Sequence, residues 1–448
     1  MSHNSVVTRF PPSPTGHAHI GSYRTAIFNY LFTRQKQGKF LLRIEDTDKE
    51  RSKKEYQDGI MESLEWLGLG YDGFSVQSEN MASHKKAMEK LIAEGKAFIS
   101  SEEAKDGSGV MKEIVRFKNP NKVVKFNDLI LGEISVDTTD LGDFVIGRNI
   151  EDPLYHLAVV VDDTESGVTH VIRGMDHISN TPRQILLIEA LGATIPEYAH
   201  IPLVLGEDKQ KLSKRKGALS VLEYKKMGYL PEALLNAAAF MGFNPGGEKE
   251  IYTLNELIEV FDFSKIQKGG AVFNPVKLDW FNAEHMKLLS EEEYLSQARV
   301  FAPVSIPSQV VDKVLLASRE RVKYFGELKD LENDSYLWTM DSAPSVDLLL
   351  VPEKIRKDKV VTKESTREIL EHVAGILKNS TDEDFSSIES AKNLIWPYAE
   401  EIGRGIVLWP LRISLTAKEK SMDPFSMMWI LGKKASIDRL EKAIAIMV

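Results

Sequence analysis

The chain contains no cysteine among its 448 residues, which excludes a disulfide framework, a thiolate nucleophile and thiolate-bound zinc. It has no run of roughly 20 apolar residues, so no membrane-spanning helix is expected. Its first residues, MSHNSVV, lack the apolar stretch of a signal peptide, and a cytoplasmic protein is the expectation. Internal repeats and low-complexity tracts are also absent. Positive charge is in short supply: the formal net charge is −9, which argues against a generally cationic, nucleic-acid-coating surface. Local charge matters more than the total, and residues 404–434 depart from it. There Arg404, Arg412, Lys418, Lys420, Lys433 and Lys434 face only Glu419 and Asp423. On charge alone this stretch fits an ordinary solvated face as well as an RNA-facing surface.

At 43% hydrophobic content the chain can form several domains, about three by a prior of ~150 residues each. Val6 to Phe10 is a short apolar strand, followed by a Pro-Ser-Pro-Thr-Gly turn. A helix is predicted from near His19, because Ala26, Ile27, Tyr30 and Leu31 recur at helical spacing, and Lys39 to Ile44 (KFLLRI) reads as the next strand. In such a βαβ unit the carboxyl end of the strand and the amino terminus of the helix form a phosphate-binding crevice. His19 and Gly21 fall there: a glycine allows close backbone approach, and an imidazole can donate to a phosphate oxygen. His17 and His19 by themselves read as a surface pair rather than as metal ligands, since a metal site needs further ligands at suitable spacing.

A second segment narrows the reading. Lys209, Lys211, Lys214, Arg215 and Lys216 lie within eight residues without an acid, directly after an apolar strand predicted over Ile201 to Leu205. A basic run alone fits a solvated loop or a nucleic-acid patch. Behind a buried strand, with Gly217 for flexibility, it is placed to close over a triphosphate. Asp162-Asp163 and Glu45-Asp46-x-Asp48 could in principle hold a divalent ion.

His19-Ile20-Gly21-Ser22 resembles the HIGH signature of the class I aminoacyl-tRNA synthetases, with Ser22 in place of the last His, and Lys211-Leu212-Ser213-Lys214-Arg215 resembles their KMSKS signature. RIEDTDKERS (Arg43 to Ser52), DPLYHLAVVVDD (Asp152 to Asp163), VIRGMDHISNTPRQ (Val171 to Gln184), LPEALLNAAAFMGFNP (Leu230 to Pro245), AVFNPVKLDWFN (Ala271 to Asn282) and IVLWPLRISLT (Ile406 to Thr416) extend the likeness, in order, to the bacterial glutamyl branch. The resemblance implies an α/β fold: a Rossmann-type catalytic domain split into 1–85 and 168–235, an acceptor-end-binding insertion over 86–167, a helical stem-contact domain over 236–300 and an α-helical anticodon-binding domain over 301–448. The helical carboxyl-terminal third separates this branch from glutaminyl enzymes, which resemble β-barrel proteins there, and from the short paralogue that lacks that end.

The implied activity is ATP-dependent activation of L-glutamate to glutamyl-adenylate, followed by transfer to the 3′ end of tRNA(Glu). Such chemistry relies on positioning and charge stabilisation rather than on a side-chain nucleophile. By motif position, His19, Gly21, Lys211 and Lys214 would be catalytic. The same four with Asp176 would bind ATP, and Arg9, Ser13, Glu45, Tyr155 and Arg173 would bind glutamate. Arg9 and Arg173 lie at strand ends and can offer guanidinium groups to a carboxylate, while Glu45 can receive an ammonium group. Mg²⁺ would accompany ATP, held by phosphate and water; no protein metal site, and no zinc in the cysteine-free insertion, is expected. A monomer without membrane attachment is implied. Val159 departs from a common pattern with Asn at that position. Two other classes share some of these features: a small-molecule adenylyltransferase with an HxGH-type site, and a silent tRNA-binding homologue, against which the intact His19, Lys211 and Lys214 argue.

Overall fold

The computed structural model describes residues 5–103, 111–212, 219–339, 343–356 and 359–447, which divide into two compact units, Met1–His285 and Met286–Val448. The first unit is built on parallel strands. Strand β1 (Val7–Phe10) passes through α1 (Ile20–Gln35) into β2 (Lys39–Ile44), and α2 (Lys54–Trp66) leads to β3 (Gly73–Val76). The three strands pair in parallel, with Val7 opposite Lys39 and Leu41 opposite Gly73. Parallel strands require crossovers, and the apolar residues of α1 supply the covering layer. Tyr23, Ala26, Ile27 and Leu31 are all buried.

An insertion follows α3 (Met81–Ala93). Strands β4 (Ala97–Glu103), β5 (Met111–Phe117), β8 (Phe144–Asn149) and β9 (Asp152–Pro153) make an antiparallel sheet, while β6 (Val123–Asp128) and β7 (Gly132–Asp137) form a hairpin that leaves it. Helix α4 (Tyr155–Glu165) then brings the chain to β10 (His170–Gly174), α5 (Thr181–Leu191) and β11 (Glu197–Ile201). β10 runs parallel to β11, and β6 adds to the far edge of β11 at Tyr198–Asp128. On its other side β10 meets β1, where the Thr169 N–H donates to the Val7 carbonyl at 3.0 Å. The chain therefore winds outward from β1 through β2 and β3, then returns on the opposite side through β10 and β11. That reversal creates a crevice beyond the carboxyl ends of β1 and β10. One apolar core joins the insertion sheet to the second winding, with Phe117, Phe144, Leu157, Val160, Leu187 and Tyr198 packed together.

The apolar run Ile201 to Leu205 is not the single strand expected from its composition. β11 ends at Ile201, and a separate β12 (Val204–Leu205) pairs with β13 (Ala271–Val272). Pro202 has no N–H for a ladder, and its carbonyl instead accepts from the buried Arg24 guanidinium. Beyond the lysine-rich segment come α6 (Val221–Met227), α7 (Pro231–Phe240), α8 (Leu254–Val260) and α9 (Pro275–Leu288).

The second unit is helical: α10 (Glu291–Phe301), α11 (Val311–Ser318), the single turns α12 (Val346–Leu349) and α13 (Glu353–Arg356), α14 (Lys363–Asn379), α15 (Ile388–Ile402), α16 (Arg404–Thr416) and α17 (Pro424–Ala445). Thr362 caps α14 in a reciprocal box with Ser365, and Ile369, Leu370, Val373 and Leu377, at helical spacing, form its buried stripe. α17 bends at Gly432, whose φ of 73° interrupts the helical backbone.

Candidate active site

The crevice at the strand reversal is a cleft of about 750 Å³. Arg9, Ser13, His19, Gly21, Glu45, Tyr155, Arg173, Asp176 and Lys211 all line it. These nine residues come from five separate stretches of sequence. Lys214 lies outside the described residues.

Helix α1 opens onto the cleft. His19 stands at its N-cap without a side-chain cap bond, and its first turn carries no acid, so the free N–H groups and the positive end of the dipole remain available to an anion. A Cβ at Gly21 would lie 3.0 Å from the His19 ring and 3.4 Å from Val204. The missing side chain therefore makes room for the imidazole against β12. Lys211 holds the Asp176 carboxylate at 2.5 Å. Burial pushes that carboxyl up, but the lysine and His177 outweigh it and hold it below its ordinary value. His17 also lines the cleft, with its ring edge on Tyr56.

Arg9 and Glu45, which line the cleft, belong to a buried network of arginines and carboxylates. Arg9 Nε donates to both oxygens of Asp163, at 3.0 and 3.2 Å, and Arg43 Nη1 reaches the same carboxylate at 2.7 Å. Arg43 Nη2 donates to Glu45 at 3.1 Å. Burial favours protonation of Asp163, yet the two guanidinium groups reverse that and keep it ionised below the usual range. For Glu45 burial wins over Arg43 and Arg9, and the carboxyl is pushed up. Arg9 Nη1 is buried without a hydrogen-bond partner among the described residues. Such a donor is costly unless something accepts from it.

Arg173 is surrounded differently. Its Nε donates to His200 Nε2 at 3.2 Å, Nη1 to Gln184 Oε1 at 2.7 Å and Nη2 to Thr181 Oγ1 at 2.7 Å. Among the described residues no carboxylate forms an ion pair with it. Its side chain is only 5% exposed, and burial draws its pKa down. A guanidinium held by neutral acceptors keeps its charge for whatever anion enters the cleft. Tyr155 Oη meets His177 Nδ1 at 3.3 Å, and burial raises the phenol pKa.

The acidic pairs considered as metal ligands are engaged by protein. Asp162 accepts from His84 at 2.7 Å and from Gln77 and Asn80 at 2.8 Å each. Asp46 accepts from the Ser78 N–H and hydroxyl, and Asp48 pairs with Arg51. Val159 is 2% exposed and packs in the apolar core rather than on the cleft. Its sequence position gave no sign of which way it faces. Sequence reasoning did not single out Arg43 or His177, although both sit inside the motif segments RIEDTDKERS and VIRGMDHISN. Asp128 and His200 went unmarked as well, and no motif surrounds those two.

In the second unit Ile355, Leu408, Trp409, Arg412 and Asp423 line a groove of about 300 Å³. The Arg412 guanidinium lies 4.8 Å from the Trp409 ring centroid.

Comparison with known proteins matches both units. Residues 5–113 and 99–280 fit the family described as tRNA synthetases class I (E and Q), catalytic domain, and residues 279–444 fit an anticodon binding domain. The chain belongs to the class I tRNA synthetases of the E and Q type. Within this family it is 40% identical to a glutamate–tRNA ligase of Aquifex aeolicus, over 84% of this chain and 90% of that protein. Identity to glutamate–tRNA ligase 1 of Helicobacter pylori is 38%, over 97% of this chain and 98% of that protein. A crystal structure of a glutamate tRNA ligase from Elizabethkingia meningosepticum, in complex with its amino acid, superposes with a TM-score of 0.82 at 29% identity, covering 99% of this chain and all of that one. These family matches account for the order of the motifs along the whole chain, and they exclude the unrelated adenylyltransferase reading.

Proposed function

We propose that this synthetase is a glutamate–tRNA ligase. The α-carboxylate of glutamate attacks the α-phosphorus of ATP, and the glutamyl group of the resulting adenylate passes to the terminal adenosine of tRNA(Glu). The observation that carries the choice of amino acid is the set of three arginines. Arg9 and Arg43 are neutralised by Asp163 and Glu45, whereas among the described residues Arg173 meets only uncharged acceptors. A buried cation without a counter-ion binds a carboxylate far better than a carboxamide. Arg173, with the open donor of Arg9, receives the substrate carboxylate, while Ser13, Glu45 and Tyr155 orient the ammonium end.

ATP enters with Mg²⁺ held by its phosphates and water. The carboxylates nearest the cleft are engaged with arginine and lysine, and among the described residues no cluster of three or more His, Asp or Glu side chains is arranged to hold a metal. His19, Gly21 and the amino terminus of α1 receive phosphate, and Asp176 holds Lys211 at the cleft until the triphosphate arrives. Lys211 and Lys214 then neutralise charge on the leaving pyrophosphate. The second unit reads the tRNA, with Arg412, Trp409 and the basic stretch 404–434 facing it.

The deciding experiment charges separated tRNA species with labelled glutamate and labelled glutamine. Glutamate alone should appear on tRNA(Glu). Transfer of glutamine at a comparable kcat/KM would overturn the carboxylate reading of Arg173.

A further inference from the structure

Asp128 and His200 belong to different parts of the first unit, and both are fully buried. Asp128 ends strand β6 of the inserted hairpin, and His200 lies on β11 of the nucleotide-binding sheet. Asp128 Oδ2 accepts from His200 Nδ1 at 2.6 Å and from the His200 backbone N–H at 3.0 Å. Its other oxygen accepts from the backbone N–H groups of Ile130 and Leu131, at 3.0 and 2.9 Å. One carboxylate thus fastens the hairpin turn to the imidazole.

Those contacts decide the tautomer. An ionised Asp128 only accepts, so Nδ1 must carry the proton that it shares with the carboxylate. Arg173 Nε only donates, so His200 Nε2, at 3.2 Å, must present a lone pair. Thr181 Oγ1 lies 3.0 Å from the same nitrogen and accepts from Arg173 Nη2; its own proton shares the single lone pair of Nε2 with the Arg173 Nε–H. Burial and the nearby Arg173 charge favour the neutral ring despite the pull of Asp128. The Tyr198 ring lies nearly parallel to the imidazole, with centroids 6.0 Å apart and 10° between the planes. Every bond in this chain has one allowed direction.

We propose that His200, held in its Nδ1–H tautomer by Asp128, is a positioning residue that fixes the guanidinium of Arg173 without neutralising it. This rests on the reading of Arg173 as the partner of the substrate carboxylate. His200 touches no substrate. It supplies an uncharged acceptor in a fixed place, so that the rotamer of Arg173 is set before glutamate binds and its charge stays available. Because Asp128 lies on the inserted hairpin, the amino-acid site depends on a segment far from it in sequence.

The test compares His200→Asn, His200→Gln and Arg173→Gln, alone and combined, in the full-length enzyme. Asparagine can retain the donor toward Asp128 but cannot reach Arg173; glutamine can carry an oxygen to the place of Nε2. With His200→Asn the glutamate KM should rise by about tenfold or more, with kcat and ATP KM within about threefold of the parent. His200→Gln should restore most of the loss. In an Arg173→Gln background neither change should add further to the glutamate KM, because the residue they position is gone. If Arg173→Gln leaves the glutamate KM unchanged, the carboxylate reading of Arg173 is wrong. If Arg173→Gln raises it but His200→Asn does not, or if the two effects multiply independently, His200 does not position Arg173. A parallel rise in ATP KM would likewise reduce His200 to a structural residue. Should His200→Asn melt below the assay temperature, His200→Leu, which offers Arg173 no acceptor, is compared with His200→Gln; the glutamate KM should rise only in the leucine variant, and no rise overturns the proposal.

Discussion

At the scale of single residues, the proposed site separates charges that are balanced from those that are not. Arg43 lies between Asp163 and Glu45 and serves as the counter-ion that lets both be buried, whereas among the described residues no carboxylate pairs with Arg173. The same burial acts on histidine. His285 is 5% exposed, its Nε2 lies 3.1 Å from Asn236 Oδ1, and burial pushes its pKa down to about 4. In an unfolded chain it titrates near 6.5. Between those values the unfolded state binds more protons than the folded one, so stability is intact above about pH 6.5 and falls as the pH drops toward 4. Urea unfolding at pH 7 and pH 5 should therefore show His285→Asn losing roughly 2 kcal/mol less than the parent over that interval. An identical loss in the two proteins would mean that the ring is protonated in the fold.

At the scale of elements, the proposed nucleotide end of the cleft rests on the amino terminus of α1. A 16-residue helix with no acid in its first turn offers a full dipole and free N–H groups. Gly21 keeps the His19 ring seated beside them. With Gly21→Ala the new methyl group would meet that ring at 3.0 Å, so the imidazole must shift by a few tenths of an ångström. Pyrophosphate exchange should fall by about tenfold or more with the glutamate KM little altered, since the disturbance is confined to the phosphate end. An unchanged exchange rate would remove the His19 ring position from the mechanism. The elements themselves were largely readable: VTRF, the helix after His19 and KFLLRI follow from apolar periodicity and turn residues. Ile201 to Leu205 was not, because composition cannot show that Pro202 ends one ladder and that β12 finds a different partner.

At the scale of the whole molecule, a net charge of −9 coexists with a basic second-unit stretch, and not all of that stretch is equally available. Lys433 donates to the carbonyls of Lys378 and Ser380, capping the end of α14, and Arg404 pairs with Glu400. Lys420 and Lys434 are exposed, and Arg412 rests on Trp409. Changing Arg412, Lys420 and Lys434 together to glutamine should weaken tRNA binding and flatten its dependence on log salt concentration. The slope should fall by somewhat under one, about 0.7 to 0.9, for each phosphate that is no longer neutralised. Glutamyl-adenylate formation without tRNA should be unaffected. An unchanged slope would direct tRNA to another face.

The sequence by itself determined what depends on local order: the crossover around α1, the helix cap at Thr362, and the exclusion of cysteine chemistry. Through its ordered motifs it also pointed to the synthetase family. Motif position, through the family resemblance, brought Arg9, Glu45 and Arg173 forward, and their places at strand ends agreed, since such residues share a crevice wherever a parallel sheet reverses direction. Only the tertiary structure decided how their charges are disposed. Asp163, in sequence half of an acidic pair, proved to be the counter-ion of two arginines. Val159, beside the site in sequence, turned into the core. Asp128 and His200 carry no motif, since a hydrogen bond across 72 positions depends on two strands meeting side by side, and that meeting is a property of the folded sheet.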